Sequence, residues 1–340
     1  MQRLFRPPDV VGELERLLTQ IPAGRVTTCG DLAEALGDRA AVRWIGQYLA
    51  GHQHKPHCTC HRVVQADGRI ADSPAYPGPA KATRLRAEGV RTHANWVDLQ
   101  TYGFRTFHSC RPLEQLARLQ LSVASQSMTR SPGRMPKTAA GLDVSYPNSQ
   151  EAVGAYALVE VTNGKLRWSV TVRRCVRFPY ITGYLSFREL PVLLDLLQVA
   201  ETAGSLADVY LIDGSGILHP RRAGIATHFG VITGLPTVGV TKTLLCGSGE
   251  FGGMRALEAR PVLDDGRVLA LALRPTAGSR RPIFISVGNG LSLKFAEKVV
   301  RRLLLGRRLP EPLHWADRLS RRAGCLSASD MRLGGRVTRS

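Results

Sequence analysis

Apolar and polar positions alternate along this chain in two distinct ways. The first hundred residues favour helical spacing. A helix is predicted from Asp9 through Thr19, after which Ile21-Pro-Ala-Gly turns the chain. Thr28-Cys-Gly-Asp31 has the form of a capping box, followed by Leu32-Ala-Glu-Ala-Leu36 and the stop Gly37-Asp38. A further helix, Ala40 to Ala50, comes within a few residues. Two short helices across a tight glycine turn read as a helix-turn-helix with the second as recognition helix, although many such hairpins serve only packing. Residues 90–112 show no periodicity, and 93–112 are read as a linker. Leu113, Leu116, Ala117, Leu121 and Ala124 then share one helical face. Beyond them the pattern turns strand-like. Thr138–Tyr146 is an apolar run, and Tyr156–Thr162 and Leu166–Val172 flank Asn163-Gly164, the signature of a hairpin. Helices are predicted over 187–201, 222–233 and 291–305, with strands over 207–213 and 237–241. No internal repeat is evident.

Three antiparallel strands, a helix, then alternating strand and helix imply a mixed sheet covered by helices, of ribonuclease-H-like type. The fold class is therefore α/β in two domains, the first containing the helix-turn-helix. At 340 residues each domain is large enough to bury its own core. The charge changes the picture most. Lys and Arg number 46 against 27 acidic residues, a net charge of +19 with pI near 10.4, which points to a polyanion partner. No stretch approaches the length of a membrane span, and Met1–Pro8 has no apolar signal core. Seven scattered cysteines fit a reducing compartment better than a disulfide framework, so a cytoplasmic monomer is expected.

Candidate chemistry lies at the element ends. Asp143 sits in the first strand-like run of the second half, Asp213 ends the run Val209–Asp213, and Glu189 falls where the intervening helix begins. In the proposed topology the strands bearing the two aspartates are neighbours about 4.8 Å apart, so both could share one or two metal ions. Hard oxygen ligands suit Mg²⁺ or Mn²⁺ and phosphodiester cleavage. Each carboxylate alone would read as a turn or cap residue.

Longer motifs carry a resemblance. Gly141-Leu-Asp143-Val-Ser-Tyr, Phe178-Pro-Tyr-Ile-Thr-Gly-Tyr-Leu-Ser-Phe-Arg-Glu189, Ile212-Asp-Gly-Ser-Gly-Ile-Leu-His-Pro-Arg-Arg222, Thr237-Val-Gly-Val-Thr-Lys242 and Leu309-Pro-Glu-Pro312 before His314-Trp-Ala-Asp317 resemble endonuclease V over about 115–318. The resemblance implies nicking of DNA at the second phosphodiester 3′ to hypoxanthine, with a 5′-phosphate product. Some relatives cut inosine-containing RNA, and that alternative stays open. It also implies Asp143, Glu189 and Asp213 as metal ligands, with His219 and Lys242 near the scissile phosphate. Tyr180, in Pro179–Thr182, corresponds to a wedge entering the displaced base's gap, and Gly183, Gly214 and Leu245 to the lesion pocket. One departure is Asn289, where the family has a histidine. Asparagine can hydrogen-bond a metal-bound water or ligate through its carbonyl, but cannot shuttle a proton.

Cys58-Thr-Cys60-His61-Arg62-Val-Val64, with Ile21-Pro-Ala-Gly-Arg-Val, Ala41-Val-Arg43-Trp-Ile-Gly46 and Arg86-Ala-Glu88-Gly-Val90, resembles the O6-alkylguanine-DNA alkyltransferases over about 9–92. The resemblance implies Cys60 as alkyl acceptor, His61 as its base, Glu88 orienting that imidazole, and Arg43 filling the space of a flipped guanine, with no cofactor. Thr59, Cys29 and His52 replace the family's proline, tyrosine and asparagine, and Lys55 and His57 interrupt a normally apolar segment. These departures leave a lesion sensor without transfer activity as the alternative. His52, His54, His57, Cys58, Cys60 and His61 are also dense enough for Zn²⁺ or Cu⁺, although the spacing fits no standard finger.

The expected organisation is an alkyltransferase-type domain over 1–92, a linker over 93–112, an endonuclease V domain over 113–325 and a basic tail over 326–340 with Arg332, Arg336 and Arg339. The expected partner is double-stranded DNA with deaminated or alkylated bases, and no membrane.

Overall fold

Asp9 accepts a hydrogen bond from the Gly12 amide at 2.9 Å and so starts α1 (Val10–Thr19), whose Val10, Leu14, Leu17 and Leu18 are buried. The structure, a computed structural model, describes residues 7–52, 58–71, 81–130 and 133–325. It comprises two compact units. One extends to Arg118 and includes Phe178–Thr182; the other takes Leu119–Arg177 and the chain from Gly183 onward. The basic tail, with His54, Lys55 and His57, lies outside the described residues.

In the first unit, β1 (Thr27–Thr28) leads into α2 (Cys29–Leu36) through a complete capping box: Thr28 Oγ1 accepts from the Asp31 amide and the Asp31 carboxylate accepts from the Thr28 amide, each at 3.1 Å. Gly37, at φ 100°, ends α2 in the left-handed region. A 3-10 turn at Arg39–Ala41 then opens α3 (Val42–Gly51), completing the expected helix pair. Another 3-10 turn, Cys60–Arg62, precedes β2 (Val63–Val64), which pairs in parallel with β1. α4 (Lys81–Ala87), the hairpin β3 (Thr92–His93) and β4 (Trp96–Val97), and α5 (Leu99–Tyr102) complete the unit. Val26, Val64, Ile70, Leu85, Val90 and Val97 form a core against which Leu99 and Tyr102 pack.

The linker expected over 93–112 is therefore corrected. Val97 is core, the Val26 amide donates to Tyr102 O at 2.9 Å, and His108 O accepts from Arg16 and Gln20 of the α1 region. Two-residue strands are too short to show an alternation that sequence could reveal.

The chain enters the second unit within α6 (Pro112–Gln126). Its elements are β5 (Thr138–Ser145), β6 (Glu151–Glu160), β7 (Leu166–Cys175), α7 (Leu185–Thr202), β8 (Val209–Asp213), α8 (Ile225–Thr233), β9 (Thr237–Thr241), β10 (Ala259–Asp264), β11 (Arg267–Leu273), β12 (Ile283–Asn289), α9 (Leu293–Leu303) and α10 (Glu311–Cys325). The eight strands form one mixed sheet in the order β10-β11-β12-β9-β8-β5-β6-β7. β8 runs parallel beside β5, pairing Leu142 with Ile212, as the topology required. Strand periodicity divides the core in two. Ala139, Val209 and Leu211 face Val299, Val300, Leu303 and Leu313 of α9 and α10. Ala140, Leu142, Tyr210 and Ile212 face Leu190, Leu193 and Phe229 of α7 and α8. The β10–β11 hairpin was not foreseen, although its turn residues Asp265 and Gly266, at φ 48° and 72°, are a recognised turn pair.

Close approach fixes α10 on the sheet. A β-carbon at Gly141 would lie 2.2 Å from the Pro312 backbone, so only glycine admits the start of α10 there.

Candidate functional site

Asp143 and Asp213 share the strand parity of Ala139 and Leu211, which puts both on the face that α10 covers. α10 adds a third carboxylate, Asp317. Oxygens of Asp143, Asp213 and Asp317 all lie within 4.8 Å of one another. Ser320, fully buried one turn after Asp317, donates to Asp143 Oδ2 at 2.8 Å. Lys242, just beyond β9, places Nζ 2.7 Å from Asp213 Oδ2. Burial pushes the Asp143 carboxyl up to about 6, helped by the Asp213 and Asp317 charges and opposed by the Ser320 hydrogen bond. Glu189, on α7, accepts from the Tyr146 hydroxyl at 2.9 Å. Burial pushes it up to about 8, the Tyr146 bond opposing and the Asp143 and Asp213 charges adding. Crowded, buried carboxylates are destabilised without a cation, and an all-oxygen set fits a hard divalent ion.

Sequence reasoning quoted Asp317 inside a motif but gave it no role, and it missed Ser320 and Tyr146. Asn289 stands apart from the acidic group. β12 runs antiparallel to β9, so Asn289 pairs with Thr237 at the end of the sheet opposite Asp213. Its amide donates to Gly230 O and Leu235 O, and its Oδ1 accepts from the Met128 amide at 3.0 Å. Asn289 is thus a buried backbone tie.

His219 is buried between backbone groups as well. Its Nδ1 accepts from the Arg221 amide at 3.1 Å, so Nε2 donates to Gly183 O at 3.0 Å. Burial holds the ring well below its ordinary value, at about 4, and therefore neutral at pH 7. The Gly183 carbonyl also accepts from Arg221 and from Gln120, a buried residue whose Oε1 in turn accepts from Arg221 Nε at 2.6 Å. Gly183 itself has φ 81°. At Gly214 a β-carbon would lie 2.4 Å from Ile225. Tyr180 is 61% exposed although Phe178 and Ile181 beside it are buried, and Leu245 is 38% exposed.

In the first unit, Cys60 and His61 are buried in the 3-10 turn. His61 Nε2 lies 2.7 Å from Glu88 Oε1. Arg62 clamps the same carboxylate, with Nε and Nη2 at 2.9 and 2.8 Å, while its Nη1 donates to Ile21 O. Burial opposes ionisation of Glu88, but these donors and the Gly24 amide hold it at about 2. His61 Nδ1 is buried without a hydrogen bond among the described residues. Burial, with Cys58 alongside, pushes the Cys60 thiol up to about 12. Arg43 is exposed on α3.

Comparison with known proteins agrees with both halves. The endonuclease V family model matches residues 118–318, well over half of the chain, and the DNA-binding domain of 6-O-methylguanine DNA methyltransferase matches 13–90. A bifunctional methyltransferase/endonuclease of Picrophilus torridus is 36% identical over 244 residues, covering 72% of this chain and 78% of that protein. The catalytic domain of human endonuclease V is 29% identical with a TM-score of 0.60, covering 67% of this chain and all of that one. Endonuclease V of Ciona intestinalis, solved with a 24mer DNA containing an inosine followed by a ribo-adenosine, is 28% identical with a TM-score of 0.56, covering 62% and 97%. The chain belongs to the endonuclease V family, and it joins that nuclease to an alkyltransferase-type DNA-binding domain.

Proposed function

We propose that the second unit nicks double-stranded DNA at the second phosphodiester 3′ to a deaminated purine, leaving a 5′-phosphate. The observation that carries this reading is the Asp143–Asp213–Asp317 cluster. These residues would hold Mg²⁺ or Mn²⁺, with Glu189 beside them. When bound, the ion supplies charge neutralisation at the scissile phosphate. Lys242 adds positive charge at the same place, and its contact with Asp213 keeps it aimed there. Exposed Tyr180 has the surface an intercalating ring needs, since stacking on an aromatic face offsets part of the cost of unstacking a base. Gly183, Gly214 and Leu245 would receive the extruded base. His219 acts at one remove: with Arg221 and Gln120 it fixes the Gly183 carbonyl. The net charge of +19 supports DNA as partner, as does the inosine-containing DNA held by the Ciona protein. The test is a nicking assay on a duplex with a single inosine, mapped to the nucleotide, with an inosine RNA in parallel. Cleavage abolished by chelation and by Asp143→Asn and Asp317→Asn is expected; cleavage that survives Asp317→Asn contradicts the ligand set.

The first unit would bind O6-alkylguanine through α3, with Arg43 entering the duplex. Transfer then forms a sulfur–carbon bond at Cys60 as the O6–carbon bond breaks, and the guanine keeps that bond's electron pair and takes up a proton. His61, oriented by Glu88, takes the thiol proton. A sensor without transfer is the second reading, favoured by the raised Cys60 thiol. Intact mass after incubation with an O6-methylguanine duplex separates the two: one added methyl group mapped to Cys60 supports transfer, and lesion-selective binding without it supports sensing.

A further inference from the structure

Beside the Cys60–His61–Glu88 array lies a second constellation with its own chemistry. His52 Nε2, Cys58 Sγ and Cys60 Sγ all lie within 4.8 Å of one another. His52 caps α3 in an extended conformation, and the chain returns at Cys58 to enter the 3-10 turn at Cys60. Thr59 fixes that return by donating to Leu18 O at 2.7 Å. Tetrahedral zinc with two thiolates and an imidazole places its donor atoms about 3.5–3.8 Å apart, from metal–sulfur and metal–nitrogen bonds of about 2.3 and 2.0 Å. His52 Nε2 and Cys58 Sγ are already 3.1 Å apart. Closing the set around an ion asks for adjustments of about 1 Å or less.

The orientation of His52 is the independent sign. Its Nδ1 lies 3.1 Å from Leu49 O. A carbonyl only accepts, so Nδ1 carries the proton and Nε2 presents its lone pair toward Cys58. A backbone carbonyl holding the far nitrogen is the usual support of a metal-bound imidazole. Tyr48 stacks on the ring at 5.5 Å between centroids and 12° between planes, holding it in place.

We propose that His52, Cys58 and Cys60 form a three-ligand site for a d10 cation, Zn²⁺ or Cu⁺, with a fourth position open. Two thiolates neutralise Zn²⁺, and soft sulfur donors exclude the Mg²⁺ suited to the acidic cluster. Because Cys60 is shared, an occupied site withdraws its sulfur from alkyl acceptance. That consequence rests on the transfer reading of Cys60; the metal site does not.

The test uses the full chain, reduced, stripped with chelator and kept in excess Mg²⁺ so that the acidic cluster is filled. Titration with Co²⁺ should give thiolate-to-cobalt charge-transfer absorption saturating at one equivalent, bleached by Zn²⁺. Cys58→Ser and His52→Gln should each weaken binding at least tenfold. On the unaltered chain, Zn²⁺ should protect Cys58 from iodoacetamide while exposed Cys110 and Cys175 still react. An anaerobic Cu⁺ arm against a competing chelator identifies which ion is held more tightly, and tight stoichiometric binding of either supports the site. No charge-transfer band, a band indifferent to Cys58→Ser or His52→Gln, or no protection of Cys58 overturns it. Slower methylation of Cys60 in stoichiometric Zn²⁺ would show the coupling, and a chain that binds metal but never accepts methyl would refute only the transfer reading.

Discussion

Gly141→Ala should disable the nuclease without touching a ligand. The new β-carbon would sit 2.2 Å from Pro312 C and O, backbone atoms that cannot rotate away. Restoring ordinary contact near 3.4 Å requires α10 to retreat by about 1 Å, at a cost of about 1–3 kcal/mol in a packed core. α10 carries Asp317 and Ser320, so the same retreat loosens the carboxylate group around Asp143. A misplacement of about 1 Å at a reacting centre is worth about 100-fold in rate. The assay is single-turnover nicking of an inosine duplex at saturating Mg²⁺, with thermal unfolding followed in parallel. Gly278→Ala, where a β-carbon meets nothing within 4 Å, is the control. A folded Gly141→Ala protein that nicks within twofold of the parent would refute the argument that this contact sets the site.

Ser320→Ala removes a donor that lowers the Asp143 carboxyl, so its proton affinity should rise above the present value of about 6. Protonation competes with the cation as pH falls through that value. The Mg²⁺ needed for half-maximal nicking should therefore increase by about 3–10-fold at pH 6.5 and less at pH 8.5; an equal change at both pH values would argue against the competition. Glu88 is held at about 2 against an ordinary 4.5, so its contribution is fully present above pH 4.5 and is lost as pH falls toward 2. Urea unfolding of the first unit should show that acid dependence, and Glu88→Gln should flatten it while costing about 1–3 kcal/mol at pH 7. Thr28→Ala breaks the capping box of α2 and should cost about 1 kcal/mol, read as a lower unfolding midpoint with the nuclease rate unchanged.

The helix pair, the Asn163-Gly164 hairpin and the β5–β8 pairing were legible because each depends on local residues: a cap, a turn dipeptide, a run of apolar side chains. Asp143 and Asp213, the two sequence-read carboxylates whose oxygens come together, stand near the ends of recognisable strands, whereas Glu189 lies outside that oxygen group. Asp317 was not legible. It is an ordinary aspartate in an amphipathic helix, and only the docking of α10 on Gly141 brings it to the others. The place of Asn289 was not legible either, because its motif says nothing of strand direction, and an antiparallel β12 carries its end away from Asp213. His52, Cys58 and Cys60 were legible only as members of a wider His/Cys run, and which of its members meet, with His52 3.1 Å from Cys58, was not.

The order of residues along the chain has a consequence for synthesis. Most of the unit bearing α3 and Arg43 is made first, its Phe178–Thr182 segment coming only after β7, while β5, α7 and β8 bring Asp143, Glu189 and Asp213. Asp317 arrives only after β10, β11, β12 and α9 have been made. Domains fold as they emerge, N-terminal first. A growing chain can therefore grip nucleic acid well before its carboxylate set is complete. The carboxylate set closes only when α10, among the last elements made, docks on Gly141.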